Sequence, residues 1–241
     1  MSFYDFQYAS STCGKIGKWI LQKQHAYIRK RIWSLLYNKE TINALEIGPG
    51  KSYYNFKAIH RKKLLYKAIE INSCNIEDIE KKIMIEKRGE AFSIPEENEK
   101  YDVIFLVESL EHMSSSHEAF CFLKEANRVL KKEGLILVVS PDMCEQGMDF
   151  YVSDYSHNYP VTLARLDQLF WDTHFEMFSG SYIAGPFTQT FCAIMSSKII
   201  KLIYWLQIPY LFCFDIQRKI RVAKTKSFLL RKVVAIAQKK E

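Results

Sequence analysis

Ala44-Leu45-Glu46-Ile47-Gly48-Pro49-Gly50 is an apolar run that stops abruptly in a glycine-proline-glycine breaker. Residues 43–47 read as a buried strand, and the apolar run at 103–107 suits a strand buried on both faces. Gly48 and Gly50 carry no Cβ, so the backbone there can turn sharply and come close to a ligand. Working outward, residues 53–60 can form the helix that follows. Further strand candidates lie at residues 64–71, 83–86, 103–107 and 135–139. Between residues 118 and 130, Phe120, Leu123, Ala126 and Leu130 recur at helical spacing, with Gly134 as a stop signal. Strand and helix alternating over about a hundred residues predict an α/β fold with a parallel sheet covered by helices.

The flanks are simpler. Residues 15–37 place Ile16, Trp19, Ile20, Tyr27, Ile28, Trp33 and Leu36 among Lys and Arg, which predicts an amphipathic helix able to cap the sheet. Beyond Pro141 the pattern gives a helix at 161–171 and strands at 175–183 and 233–238. The chain of 241 residues, 48% hydrophobic and 25% charged, suits one folded domain. Its parts are an N-terminal helical cap (1–40), a ligand-binding core (43–185), a helical insert (186–227) and a last strand with tail (228–241). Six scattered cysteines include no CxxC pair and read as reduced thiols. Met1-Ser2-Phe3-Tyr4-Asp5 lacks the charged and apolar regions of a secretory signal, so the expected compartment is the cytoplasm. The longest uncharged run of the insert, 202–214, has 13 residues against the roughly 20 that span a bilayer.

The charge is uneven. Residues 215–241 hold nine basic residues (Arg218, Lys219, Arg221, Lys224, Lys226, Arg231, Lys232, Lys239, Lys240) against two acidic ones, which accounts for the whole formal charge of +7. A basic excess at one end predicts that this end meets an anionic surface, lipid or nucleic acid.

Glu70 stands 20 residues beyond Gly50, at the end of the second strand candidate, where an acid can accept hydrogen bonds from ribose hydroxyls. The ligand therefore carries a ribose. Gly48-Pro49-Gly50-Lys51-Ser52-Tyr53 lacks the third glycine of a dinucleotide-binding turn, and Tyr53 would crowd a pyrophosphate. Glu46, an acid before the first glycine, suits a ligand bearing ammonium and sulfonium groups, which points to S-adenosyl-L-methionine.

From residue 43 to residue 175 the sequence resembles the class I methyltransferases, specifically the group acting on small molecules, lipids and glycans. Glu46, Gly48 and Gly50 match the family's E/D-x-G-x-G, and Glu70 matches its ribose-binding acid. Gly89-Glu90-Ala91-Phe92-Ser93-Ile94-Pro95 is similar to its G-D-A-x-x-L-P segment. Tyr101-Asp102-Val103-Ile104 with Leu110-Glu111-His112 is similar to F-D-x-V...L-E-H, and residues 123–134 to L-x-E-x-x-R-V-L-K-x-G-G. Ser52 departs from the pattern where many members carry glycine, and Asp172-Thr173-His174-Phe175 lacks the usual glycine before Phe. The resemblance implies a Rossmann-like, mostly parallel sheet of seven strands with helices on both faces. It also implies cofactor contacts from Glu46, Ile47, Gly48, Pro49, Gly50, Glu70, Ile71, Glu90, Ala91, Val107 and Glu108.

Glu108, Glu111 and His112 have i, i+3, i+4 spacing, which on a helix would gather them on one face. A related RNA-end methyltransferase group binds a metal through a similar cluster, but the L-E-H triplet is common in metal-free members, so no metal is expected. Asp154-Tyr155-Ser156-His157 resembles the D-x-T-H motif of glycan and lipid methyltransferases. His157 is the candidate general base for a hydroxyl acceptor, or else the organiser of its loop. Tyr151, Tyr155 and Tyr159 line the pocket or pack beneath it.

Val107-Glu108-Ser109-Leu110 stands where ribosomal-RNA adenine dimethylases carry N-[IL]-P-[YF] and DNA amino-methylases D/N-P-P-Y, and no Pro-Cys nucleophile follows. The insert carries Ile199, Ile200, Leu202, Ile203, Tyr204, Trp205, Leu206, Tyr210, Leu211 and Phe212, followed by basic residues. It suits either a helix pair lying on the inner face of an anionic membrane or a lid on the core. The leading expectation is a lipid, a lipid-linked glycan or another small molecule as acceptor. The alternatives are an RNA of the tRNA type bound by the basic tail, or a non-catalytic methyltransferase-like partner protein.

Overall fold

The computed structural model describes residues 15–49, 63–69, 82–83, 86–88, 91–211, 222, 225–226 and 228–240. Helix α1 (Lys15–Leu35) precedes strand β1 (Thr41–Ile47), which carries the decisive apolar run. Then come β2 (Lys63–Ile69), β3 (Lys82–Ile83), β4 (Glu86–Arg88), β5 (Ala91–Ser93) and β6 (Tyr101–Val107). Helix α2 (Ser116–Val129) leads directly into β7 (Leu130–Pro141), followed by the short α3 (Met143–Gln146) and α4 (Asp149–Ser153). The chain closes with α5 (Leu163–Asp172), β8 (Phe175–Ala184), α6 (Thr190–Trp205) and β9 (Arg231–Lys239).

Seven strands form one sheet in the order β3-β2-β1-β6-β7-β9-β8, the edge strand β3 being only two residues long. The pairs β2/β3, β1/β2, β1/β6 and β6/β7 are parallel, whereas β9 runs antiparallel to both β7 and β8. Residues 83–86 do not form one strand as expected. Ile83 ends a strand of the main sheet, whereas Glu86–Arg88 pairs with Ala91–Ser93 in a separate antiparallel ribbon. Three consecutive charged residues suit such a ribbon better than a place inside a helix-covered sheet.

Alternation along the strands supplies two cores. Leu45, Ile47, Ile104, Leu106, Ile136 and Val138 face α2 and α5, where Phe122, Leu123, Ala126, Leu166 and Phe170 meet them. Ile42, Ala44, Val103, Phe105, Leu137 and Val139 face the opposite way and pack under Ile28, Ile32 and Leu36. Thus α1, with Ile28 and Ile32 one turn apart and Leu36 just beyond its end, covers one face of the sheet. Ser115 caps α2 by accepting from the Glu118 backbone N–H at 3.1 Å, and Thr162 caps α5 through the Arg165 N–H at 3.1 Å. Gly134 does not stop α2. The helix ends at Val129, Leu130 already pairs with Tyr101, and Glu133 takes the left-handed conformation (φ 59°).

Two of the sequence motifs turn out to be braces. Asp102 is buried at the start of β6, where it accepts from the Asn43 N–H at 2.8 Å and pairs with Lys39 and Lys131. Although burial works against ionisation, those partners hold its carboxyl below the usual range. Arg128 donates to the carbonyls of Ile94 and Glu96 at 2.8 and 2.9 Å, while Glu125 accepts from the Ile94 N–H at 3.1 Å. Together Arg128 and Glu125 pin the Ile94–Pro95 segment to α2.

Candidate active site at the carboxyl edge of the sheet

From β1 the chain builds β2 and β3 on one side, then returns to place β6 on the other. In such a sheet the crevice outside the carboxyl ends of the two diverging strands is where ligands bind. Here those ends are Ile47-Gly48 and Val107-Glu108, two of the segments predicted to touch the cofactor.

Gly48 sits at φ +63°, with its N–H donated to the Ile69 carbonyl at 2.8 Å. A Cβ added there would lie 2.8 Å from Ser109 Oγ. Ser109 Oγ donates to the Ile47 carbonyl at 2.7 Å, with the Val107 and Gly48 carbonyls at 3.2 and 3.4 Å, and so ties the two strand ends together across the crevice. A glycine-shaped cradle at the switch point is what close approach of a nucleoside ligand requires, so these residues fit S-adenosyl-L-methionine. Ile47 and Pro49 are buried beside it, and Glu46, buried on the α1 face, accepts a hydrogen bond from Tyr66 Oη. Ala91 opens β5 opposite Arg88. Gly50, Glu70, Ile71 and Glu90 lie outside the described residues, as do the expected helix at 53–60 and Ser52.

Beyond β6 the expected helical face does not form. Glu108 stands at φ +53°, and only Leu110–His112 make a 3-10 turn. The two acids part company there. Glu108 turns to the buried Lys232 at the start of β9 and forms an ion pair. Although its surroundings oppose ionisation, the Lys232 ammonium keeps Glu108 below the usual carboxylate range. Glu111 turns inward, 0% exposed, where Oε2 accepts from Ser140 Oγ at 2.9 Å and Oε1 has no hydrogen-bond partner. Burial, reinforced by Glu108, pushes Glu111 up to about 8.

The loop after α4 folds back onto this turn because the Glu111 carbonyl accepts from the N–H groups of both Asn158 and Tyr159 at 3.0 Å. That return brings His157, 8% exposed, against His112, with ring centroids 5.0 Å apart. His157 Nδ1 lies 2.7 Å from the Phe150 carbonyl and must donate to it, which leaves Nε2 with the lone pair. His112 Nδ1 lies 2.7 Å from Ser156 Oγ, and that hydroxyl donates to Asp154 Oδ1 at 2.8 Å. Accordingly His112 donates through Nδ1 and also keeps its lone pair on Nε2. The sequence motif 154–157 therefore orients both imidazoles. Tyr159 is buried beneath the site, while Tyr155 projects into solvent.

Several groups at this edge escaped sequence reasoning: Ser109, Ser140, Lys232 and, on α1, His25. Burial, then Arg29 and Lys232, lower His25 to about 4. Lys232 had a signal, a lysine inside the run Leu229-Leu230-Arg231-Lys232-Val233-Val234, but it read as surface charge. Among the described residues of the basic end, four are paired within the fold. Arg231 pairs with Asp142 at 2.6 Å and Glu145 at 3.5 Å, Lys232 with Glu108, Lys226 with Asp149, and Lys239 with Glu99 at 3.9 Å.

Comparison with known proteins agrees with this geometry. A family model described as a methyltransferase domain matches residues 20–185, more than half of the chain. Among solved structures, the proposed methyltransferase bound to the Haloferax volcanii Trm112 methyltransferase activator superposes with a TM-score of 0.64 at 12% identity, over 100% of this chain and 99% of that one. A proposed sarcosine dimethylglycine methyltransferase of Galdieria sulphuraria gives 0.60 at 13%, over 91% and 86%. A SAM-dependent methyltransferase of Archaeoglobus fulgidus gives 0.53 at 16%, over 89% and 94%. A search of curated proteins finds no match. The chain belongs to the methyltransferase-domain family and is a class I, S-adenosyl-L-methionine-dependent methyltransferase.

Proposed function

We propose that the methyl acceptor is a lipid or lipid-linked glycan, reached at the inner face of a membrane on which α6 lies. One observation carries this reading. Phe191, Met195, Ile199, Leu202 and Trp205 recur every three or four residues along α6 and are 43–77% exposed, while Ala193 and Ser197 on the other side are buried against the sheet. Leu206, Ile208 and Leu211 continue the exposed apolar surface. Such a stripe suits insertion into the headgroup and acyl boundary. No helix among the described residues is long and apolar enough to cross a membrane.

The stripe belongs to the same end of the molecule as the site. Ser197 Oγ accepts from the Arg231 N–H at 3.0 Å, one residue from Lys232, and Lys201 donates to the Glu145 carbonyl at 2.8 Å. An acceptor held in the membrane surface would thus meet the carboxyl edge. Arg231, Lys232, Lys226 and Lys239 are paired internally, so the apolar stripe is the part of this surface on which the reading rests.

The cofactor supplies a methyl group already activated on a sulfonium, to be displaced in line. What the protein adds is position and a place for the acceptor's proton. The Gly48 turn and Ser109 set the floor, and His157 Nε2, fixed by the Phe150 carbonyl, is placed to take the proton of a hydroxyl acceptor.

The test is flotation with phosphatidylcholine vesicles, alone and with phosphatidylglycerol added. Burying Phe, Leu or Trp is worth about 1.5–3 kcal/mol each, so Phe191→Asp, Leu202→Asp and Trp205→Asp combined should abolish flotation. With labelled S-adenosyl-L-methionine and extract of the source cell, label should enter the lipid fraction. No flotation of the parent protein, or label entering only RNA, would overturn the reading.

A further inference from the structure

We infer that Glu111, His112 and His157 hold a divalent transition-metal ion beside the cofactor crevice, contrary to the metal-free site expected from sequence. One ligand-capable atom from each of the three lies within 4.8 Å of the others. Ligands about 2.1 Å from a tetrahedral zinc ion stand roughly 3.4 Å apart. Small side-chain rotations therefore close the set around an ion.

The surroundings are those of a ligand set rather than of three residues that happen to meet. Metal-bound histidines usually donate their other ring N–H to a carbonyl, carboxylate or hydroxyl. Both imidazoles here already do so: His157 to the Phe150 carbonyl at 2.7 Å, and His112 to Ser156 Oγ, itself donating to Asp154. In both rings the Nδ1 side carries the proton, so Nε2 is the coordinating atom. Glu111 completes the pattern, with Oε2 held by Ser140 Oγ and Oε1 fully buried without a partner. An unpartnered carboxyl oxygen in the interior is costly, and a cation bound to it removes that cost.

Two imidazoles and one carboxylate suit Zn²⁺, Co²⁺, Mn²⁺ or Fe²⁺, with positions left open for water or substrate oxygen. His112 is exposed, so the open side faces solvent. An acceptor hydroxyl bound there would be acidified by the ion and release its proton to water, whereas in the metal-free protein the proton would go to His157 Nε2. The ligand assignment does not depend on the lipid reading, because binding is measured with no acceptor present.

The experiment is titration of chelator-treated, full-length protein with Co²⁺, followed by visible d–d absorption and displacement with Zn²⁺. One Co²⁺ per chain is expected, with affinity lowered at least about tenfold by His157→Gln and by Glu111→Gln. Because Glu111→Gln alters a buried site, Ser156→Ala supplies a second variant, expected to weaken binding by about tenfold while circular dichroism stays unchanged. Absence of a visible band in the parent, or equal Co²⁺ affinity in folded His157→Gln and Ser156→Ala proteins, overturns the inference.

Discussion

Replacing Gly48 by alanine tests the cofactor cradle at its narrowest point. At φ +63° an alanine pays about 1–2 kcal/mol for the left-handed conformation. Its Cβ would also stand 2.8 Å from Ser109 Oγ, and relief requires Ser109 to leave the Ile47 carbonyl that it holds at 2.7 Å. Loss of that hydrogen bond costs about 1 kcal/mol more. The sum, about 2–3 kcal/mol, corresponds to a fall in melting temperature of roughly 5–10 °C for a domain of this size. Chemical denaturation gives the stability and calorimetry with S-adenosyl-L-methionine gives the affinity, which should drop at least tenfold in the folded variant. Combining Gly48→Ala with Ser109→Ala removes the clash, so the pair should cost about 1 kcal/mol less than the sum of the single variants. If Gly48→Ala is as stable as the parent and binds the cofactor equally well, the cradle does not exist as described.

Other outcomes follow from the same geometry. His25, lowered from 6.5 to about 4, is neutral in the folded state, while the unfolded chain takes up a proton below pH 6.5. Its contribution is therefore complete above about pH 6.5 and is lost as pH falls toward 4, at most about 3 kcal/mol. Denaturation curves across that window should fall less steeply for His25→Gln than for the parent. Asp102→Asn removes the partner of Lys39 and Lys131 at the far end of the sheet and should cost about 2 kcal/mol in urea denaturation, leaving cofactor affinity of the folded protein unchanged. His174 occupies a left-handed position (φ 61°) where its family carries glycine, so His174→Gly should raise stability by about 0.5–1 kcal/mol by the same assay.

Much of the fold was legible because it is written locally. The apolar runs within β6 and β7 announce strands buried on both faces, and the Gly48 turn after β1 announces the switch point. The site beyond it was less so, since its contacts join distant residues. Glu108 meets Lys232 across 124 positions, and Ser140 meets Glu111 across 29. No period or spacing encodes those meetings. Lys232 is the instructive case, because basic residues near a chain end read as surface charge, whereas β9 carries this one into the site antiparallel to β7. Likewise Glu108, Glu111 and His112 have helical spacing, yet the backbone at Glu108 enters the left-handed region and sends the two acids to different partners. His174 shows the reverse. The missing glycine was visible in sequence, but its cost emerges only from the backbone angle.

The central claim is that S-adenosyl-L-methionine binds in the crevice outside the carboxyl ends of β1 and β6. A crystal structure with S-adenosyl-L-homocysteine measures this directly. The account predicts that the nucleoside lies against the Gly48 turn, between Ile47 and Val107, within van der Waals contact of the Gly48 Cα. Density for the ligand at any other edge of the sheet, with the Gly48 turn empty, would contradict it.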